Sequence, residues 1–302
     1  MFLFLLFQII FDMISILYET KPQKGLLCNM SGKLYVVGTP IGNLSDFSPR
    51  AVETLQEVDF IAAEDTRVTI KLLNHFHIKK PMISYHEHNL REKGEYLISR
   101  ILDGENCAIV SDAGMPCISD PGEDLVRLAA LHNVETIVIP GPSAAISALC
   151  LSGLSTSRFS FEGFLSTNKN SRMEHLNQIK NDCHTLIFYE APHKLLTTLQ
   201  DLESSLGNRR IAIARELTKV HQEVIRTTIS ESVTKYTDTT PKGEFVLIIE
   251  GAKEQEKTTF TLEEAISFAR QLIADGAKPS DAAKEAAKET GWKKGDIYKG
   301  IL

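Results

Sequence analysis

From Gly32 onward the chain alternates short apolar runs with stretches of helical periodicity. The runs KLYVVG (33–38), DFIAAED (59–65), CAIVSD (107–112) and ETIVIPG (135–141) are rich in β-branched residues and bounded by turn formers, which predicts strands. Apolar residues spaced three and four apart between them predict helices near 49–57, 66–76, 89–102, 121–132 and 142–151. Strands that are apolar on both faces and separated by helices make a mainly parallel sheet covered on both sides. This defines a first α/β domain over 30–154.

The polar stretch STNKNSRMEH (166–175) follows FSFEGFL and predicts an exposed loop leading into a second unit. There TLIFYEAP, RIAIAREL, EVIRTTI and EFVLIIEG predict strands, with a helix in HKLLTTLQDLESSL, giving a second α/β domain over 155–251 with antiparallel pairs. Beyond it AKEQEK is a polar linker, and 252–302 forms a small helical C-terminal extension. Thr261 with Glu264 fits a capping box, Ser280 after Pro279 is expected to cap a helix, and Gly291 sits where a helix ends.

Residues 1–29 stand apart. MFLFLLFQIIFDMISILY is apolar but lacks a basic leading region and is barely long enough to cross a bilayer. A membrane anchor is one reading; the favoured one is a start assigned too far upstream, with Met30 before the first strand as the true start and no membrane partner.

Composition narrows the chemistry. A length of 302 residues with 43% hydrophobic residues is ample for two cores, and the net charge of −6 gives no long-range attraction to nucleic acid, so a polyanion must be met by local patches. The five cysteines form no C-x-x-C pair, which suits a reduced, cytoplasmic chain. The two histidines of HEHN (86–89) are two apart, no zinc spacing occurs elsewhere, and no metal is required. Neither G-x-G-x-x-G nor G-x-x-x-x-G-K-[ST] is present.

Four strand ends carry dense turn chemistry: GTPIGN (38–43), AEDTR (63–67), SDAGMPCISDPG (111–122) and PGPSA (140–144). In open α/β sheets ligands bind beyond the carboxyl ends of strands. Any one loop is explained by a turn and a helix cap, with Ser119, Asp120 or Ser143 capping; four at consecutive strand ends point to a binding site.

Taken in order, GKLYVVGTPIGNLSD, AAEDTR, SYHEHN, SDAGMPCISDPG, PGPSAAISAL, FYEAPHKL and RELTKVHQE resemble the small-subunit ribosomal RNA methyltransferase branch of the tetrapyrrole methylase superfamily. The resemblance covers about Gly32 to Gly251. It implies the two-domain class III methyltransferase fold, S-adenosylmethionine held between the domains, a homodimer, and 2′-O-methylation of a cytidine ribose in the decoding centre of 16S ribosomal RNA within the small subunit. Carried over residue by residue, Pro40, Ile41, Asp112, Ala113, Gly114, Met115, Ser143 and Ala144 would line the cofactor from one side, and Tyr189, Ala214 and Glu244 from the other. Two departures stand out: Met115 where the family usually has threonine, and Ser166-Thr167 where proline and a basic residue are common.

Transfer to a ribose hydroxyl needs a base. The candidates are Glu64, Asp65 and Arg67 in EDTR, His86 and Glu87 in HEHN, and Glu190 and His193 in YEAPH. His86 needs the smallest pKa shift and is preferred, with Arg67 as a phosphate or carboxylate clamp. The alternative for EDTR is a helix cap with a surface ion pair. Lys278, Lys284, Lys288, Lys293, Lys294, Lys299 and Trp292 of the tail could face RNA, or the tail could be a small helical cap whose alanines pack on the second domain. Two other functions share these loops: a methylase of small tetrapyrroles, and a non-catalytic RNA-binding module.

Overall fold

The computed structural model describes residues 31–86, 90–253 and 260–302. The expectations for residues 1–29 and for Glu87 lie outside the described residues.

The first sheet is parallel throughout, in the order β3-β2-β4-β1-β5, from β1 (Leu34–Val37), β2 (Phe60–Ala63), β3 (Met82–Ser84), β4 (Cys107–Val110) and β5 (Thr136–Ile139). Strand β3 is absent from the sequence expectations because three half-buried edge residues carry no measurable periodicity. Along β4 the side chains alternate between two cores, which is why the run is apolar without a break. Cys107 and Ile109 pack with α3 (Leu90–Leu102) and α4 (Glu123–Leu131), through Leu97, Ile98, Ile101, Leu125 and Ala129. Ala108 and Val110 pack on the opposite face with α1 (Pro49–Glu57) and α2 (Thr66–His75), through Ala51, Leu55 and Leu73. The neighbouring strands β1 and β4 therefore send their chains to opposite faces, and a crevice opens beyond their carboxyl ends.

The second sheet runs β6-β7-β10-β8-β9, from β6 (Phe159–Phe164), β7 (Thr185–Glu190), β8 (Arg210–Arg215), β9 (Glu223–Thr228) and β10 (Phe245–Ile249). Only the β6–β7 pair is parallel; the others are antiparallel, as the sequence leads one to expect. One face is covered by α6 (Lys169–Ile179), α7 (Leu195–Leu206) and α8 (Ile229–Thr237). The other is covered by α5 (Ala144–Ser152), which follows β5 of the first sheet. Its Ala145, Ala148 and Leu149 lie on Ile187, Ala212, Ala214, Val246 and Ile248. The alanines on this face let the helix approach the sheet closely, so α5 fixes one sheet against the other.

The loop expected over 166–175 is corrected: α6 starts at Lys169, with the Asn168 side chain accepting from the N–H groups of Asn170 and Ser171. Helical periodicity is weak there because the buried positions include Arg172, whose Nε donates to Asp201 at 2.7 Å and whose Nη1 donates to the Ser166 carbonyl at 2.9 Å. Strand β6 and helix α8 were not expected either.

In the C-terminal extension α9 (Leu262–Ala274), α10 (Pro279–Thr290) and α11 (Lys294–Ile301) pack through Ala265, Ala269, Ala283, Ala286 and Ile297. The Thr261–Glu264 capping box forms and Gly291 closes α10 at φ 75°. Ser280 does not cap α10: Lys278 holds that position, and the Ser280 hydroxyl inside the first turn accepts from Lys294 Nζ at 3.0 Å. No helix among the described residues is long and apolar enough to cross a membrane.

Candidate active site

The loops after β1 and β4 are fastened to each other. Thr39 N–H donates to the Gly114 carbonyl at 2.8 Å and Gly114 N–H donates back to Thr39 at 3.1 Å. Gly114 sits at φ 86°, a conformation costly for side chains with a Cβ, and a Cβ there would lie 3.3 Å from Ile41. Gly38 meets Gly141 backbone to backbone, and a Cβ on Gly38 would fall 2.7 Å from the Gly141 Cα. The same loop holds Cys117 at φ 71° and Ser119 at φ 63°, non-glycine residues in the left-handed region that persist only where their surroundings enforce them.

The expected caps divide. Ser143 caps α5, accepting from Ile146 N–H at 3.5 Å, and Asp65 caps α2, accepting from Arg67 N–H at 2.8 Å. Ser119 and Asp120 cap nothing, because α4 begins after Gly122 without a side-chain cap. They face cavities instead.

A cleft of about 470 Å3 lies between the two sheets. Its wall brings together Ile41, Asp112, Ala113, Gly114, Met115, Ser143 and Ala144 from the first sheet's loops, and Tyr189, Ala214 and Glu244 from the second. Of the residues carried over from the resemblance, Pro40 alone is not on this wall. Tyr189 links the two sides: its hydroxyl oxygen accepts from Ala145 N–H at 3.2 Å, and its ring packs against Phe161 and Phe164 at centroid distances of 5.0 and 5.5 Å. Lys219 donates to Glu244 and Glu216 at 2.9 Å each, tying the β8–β9 hairpin to the cleft. Sequence reasoning missed Phe164, Leu217 and Val246, which line the cleft as apolar residues among many others, and Asp120, which it read as a cap.

A second, open cavity of about 600 Å3 adjoins it, lined by His86, Leu90 and Cys117 among others, and Glu64, Ser119 and Asp120 belong to both walls. Glu64 Oε2 accepts from Asp112 N–H at 3.3 Å, and Asp112 Oδ1 accepts from Asp65 N–H at 3.2 Å, so the ends of β2 and β4 hold each other. Burial raises the Asp112 carboxyl from its ordinary value. Burial, reinforced by the charges of Glu64 and Asp112 and tempered by the Ser111 hydroxyl, pushes Asp120 up to about 7.

The other base candidates fare differently. Arg67 donates through Nε and Nη2 to Asp65, at 3.0 and 2.6 Å, and holds that carboxyl down to about 2. Asp65 is thus too weak a base for this role, and neither residue lines either cavity; the Arg67 side chain is 88% exposed. Glu190 lines the cleft but is buried, with both carboxylate oxygens engaged, accepting from Thr198 Oγ1 at 2.5 Å and Ala191 N–H at 2.8 Å. His193 is on neither wall.

This architecture is that of a family of methyltransferases. The chain belongs to the tetrapyrrole (corrin/porphyrin) methylases, whose family model matches residues 33–232. It is 49% identical over 268 residues to the ribosomal RNA small subunit methyltransferase I of Synechocystis, covering 88% of this chain and 96% of that one. The protein of the same name from Halalkalibacterium halodurans is 48% identical over 270 residues, covering 88% and 93%. Among solved structures, uroporphyrin-III-C-methyltransferase from Thermus thermophilus aligns at TM-score 0.52 and 15% identity, covering 72% of this chain and 94% of that one. A diphthine synthase aligns at TM-score 0.55 and 15% identity, covering 73% and 90%. At that identity the likeness is one of fold.

S-adenosylmethionine is the cofactor of this family. The residues present fit it. The cleft volume lies within the roughly 300–1,000 Å3 of small-molecule sites. The backbone at Gly114 leaves a cradle that a side chain would narrow, apolar residues line much of the wall, and Asp112 and Glu244 give it negative charge that complements a sulfonium. Ala113–Met115 and Ser143–Ala144 would hold it from one side, Tyr189, Ala214 and Glu244 from the other.

Proposed function

We propose that this chain methylates small-subunit ribosomal RNA, at the ribose 2′-oxygen of a cytidine in the decoding centre of the 16S molecule, acting in the cytoplasm as a homodimer. The observation that carries the reading is the pair of adjoining cavities: a cofactor-sized cleft between the sheets, and an open, more polar chamber sharing Glu64, Ser119 and Asp120 with it. A flipped-out nucleotide of a large RNA fits an open chamber. The names of the relatives from Synechocystis and Halalkalibacterium halodurans support ribosomal RNA as the substrate. The tetrapyrrole alternative has the family model and the fold in its favour, but not the names of these relatives.

When bound, S-adenosylmethionine supplies an electrophilic methyl group. The chain's own residues orient and shield the reactants. The fastened loops at Thr39 and Gly114 form a wall that needs little ordering on binding. Tyr189 and α5 hold the two halves of the cleft together, and the rings of Phe164 and Tyr189, the latter backed by Phe161, make one side of the wall apolar. Proximity of the acceptor supplies much of the rate enhancement expected of such a site. RNA is met by local contacts: the exposed Arg67 guanidinium beside the site, and the exposed lysines of α10 and α11.

The homodimer is supported by α5, which is apolar nearly all round. One face packs on the second sheet, while Ile146 and Leu151 remain exposed, as does Val138 on the edge strand β5. Mass spectrometry of ribosomal RNA nucleosides from a strain lacking the gene tests the reading. A ribose-methylated cytidine should vanish and return when the gene is restored; an unchanged nucleoside profile contradicts it.

A further inference from the structure

The loop after β4 places one carboxylate where the two cavities meet. Asp120 lines the cleft that fits the cofactor and also the open chamber that holds His86. A hydroxyl brought from the chamber toward a methyl donor in the cleft passes this wall. The loop enforces the placement at a cost in backbone strain, since Ser119, the residue before it, is held at φ 63° and Cys117 at φ 71°. Neither Ser119 nor Asp120 is spent on capping α4.

We propose that Asp120 is the general base of the reaction, taking the proton of the acceptor hydroxyl at the junction of the two cavities. The inference rests on the proposed ribose methylation. As the new carbon–oxygen bond forms, the O–H bond breaks toward the Asp120 carboxylate. The carbon–sulfur bonding pair stays on sulfur, which becomes a neutral thioether. The open chamber then returns the proton from Asp120 to solvent.

The neighbours of Asp120 tune it for this work. Glu64 from the end of β2 and Asp112 from the end of β4 face it with like charge, Cys117 lies on its own loop, and Tyr189 approaches from β7. Burial, with crowding by carboxylates, lifts it to about 7, where a base is most effective at neutral pH. Competing groups are placed less well. Asp65 is held at about 2 by Arg67, His86 lines the chamber but not the cleft, and Glu64, which shares both walls with Asp120, has Oε2 engaged by the Asp112 N–H.

The test combines rates with a titration that needs neither cofactor nor RNA. Carbon-13 shifts of aspartate carboxyls in the ligand-free protein should show one group titrating near pH 7. That signal should vanish in Asp120→Asn and move to lower pH in Glu64→Gln, where a like charge is gone. In methyl transfer, kcat/KM of the wild type should fall about tenfold per unit below that pH. Asp120→Asn should lower kcat by roughly 10²–10⁴-fold with cofactor affinity within about threefold of the wild type. A wild-type rate in Asp120→Asn, an aspartate signal titrating only near 4, or an acidic limb abolished by His86→Asn and kept in Asp120→Asn would overturn the assignment. Methylation of a base nitrogen by the wild type would instead overturn the ribose reading, and the carboxyl titration separates these two failures.

Discussion

The hydroxyl oxygen of Tyr189, at the end of β7, accepts a hydrogen bond from the backbone N–H of Ala145, in the first turn of α5. One contact thus joins the second sheet to the helix that leaves the first, on the wall of the cleft between them. Tyr189→Phe removes the acceptor and leaves a partly buried N–H unpaired, a loss of about 1 kcal/mol. Urea unfolding should register that loss, and calorimetric titration should show S-adenosylmethionine binding weakened several-fold. Unchanged values in both experiments would mean that the link carries no strain between the halves.

Gly114 and Asp112 test where the cofactor lies. A β-branched side chain at Gly114 meets a positive φ and Ile41 together, so Gly114→Val should reduce cofactor affinity at least tenfold. Asp112→Ala should also weaken binding while the protein stays folded by circular dichroism. Unaltered affinity in both would move the cofactor away from this loop.

Asp120 carries a stability signature of its own. Its folded pKa, about 7, stands above the ordinary 3.8, so the folded protein holds this proton after the unfolded chain has lost it. Stability therefore falls as pH rises from about 4 to 7, and the whole penalty remains above that. Asp120→Asn removes the penalty, so the variant should be more stable than the wild type at pH 8, by about 1 kcal/mol once solvent screening of this half-exposed carboxyl is allowed for. The gain should vanish near pH 4. Urea unfolding at the two pH values measures it, and an equal difference at both would exclude titration of Asp120 as the cause.

Much of the fold was legible because its strands are apolar on both faces and bounded by turns. The first sheet's helices begin within two residues of expectation, and β1, β2, β4 and β5 fall inside the runs that predicted them. What escaped had physical reasons: β3 is too short for a period, and α6 buries an arginine through an ion pair instead of an apolar stripe. At the site, dense glycine and proline marked the loops. Asp120 stayed hidden because an aspartate just before a helix has the sequence signature of a cap. Only the backbone path through Cys117 and Ser119 shows that it turns elsewhere.

The helices of the extension form their own small core through Ala265, Ala269, Ala283, Ala286 and Ile297. Ending the chain at residue 253 should therefore leave cofactor affinity unchanged while weakening binding to small-subunit particles, and Arg67→Ala should weaken the same binding without affecting the cofactor. Filter binding at several salt concentrations measures both, with a shallower salt slope in the variants. Equal particle affinity in both would place RNA recognition on other surfaces.

Alkaline hydrolysis of enzymatically methylated RNA distinguishes the ribose 2′-oxygen from a base nitrogen as the acceptor atom. Small-subunit particles are incubated with the protein and S-adenosylmethionine carrying a tritiated methyl group, and the purified 16S RNA is hydrolysed to completion. A methyl group on the ribose 2′-oxygen blocks cleavage at its own phosphodiester, so the label should be recovered in an alkali-resistant dinucleotide that begins with cytidine. Label recovered as an ordinary mononucleotide would contradict ribose methylation.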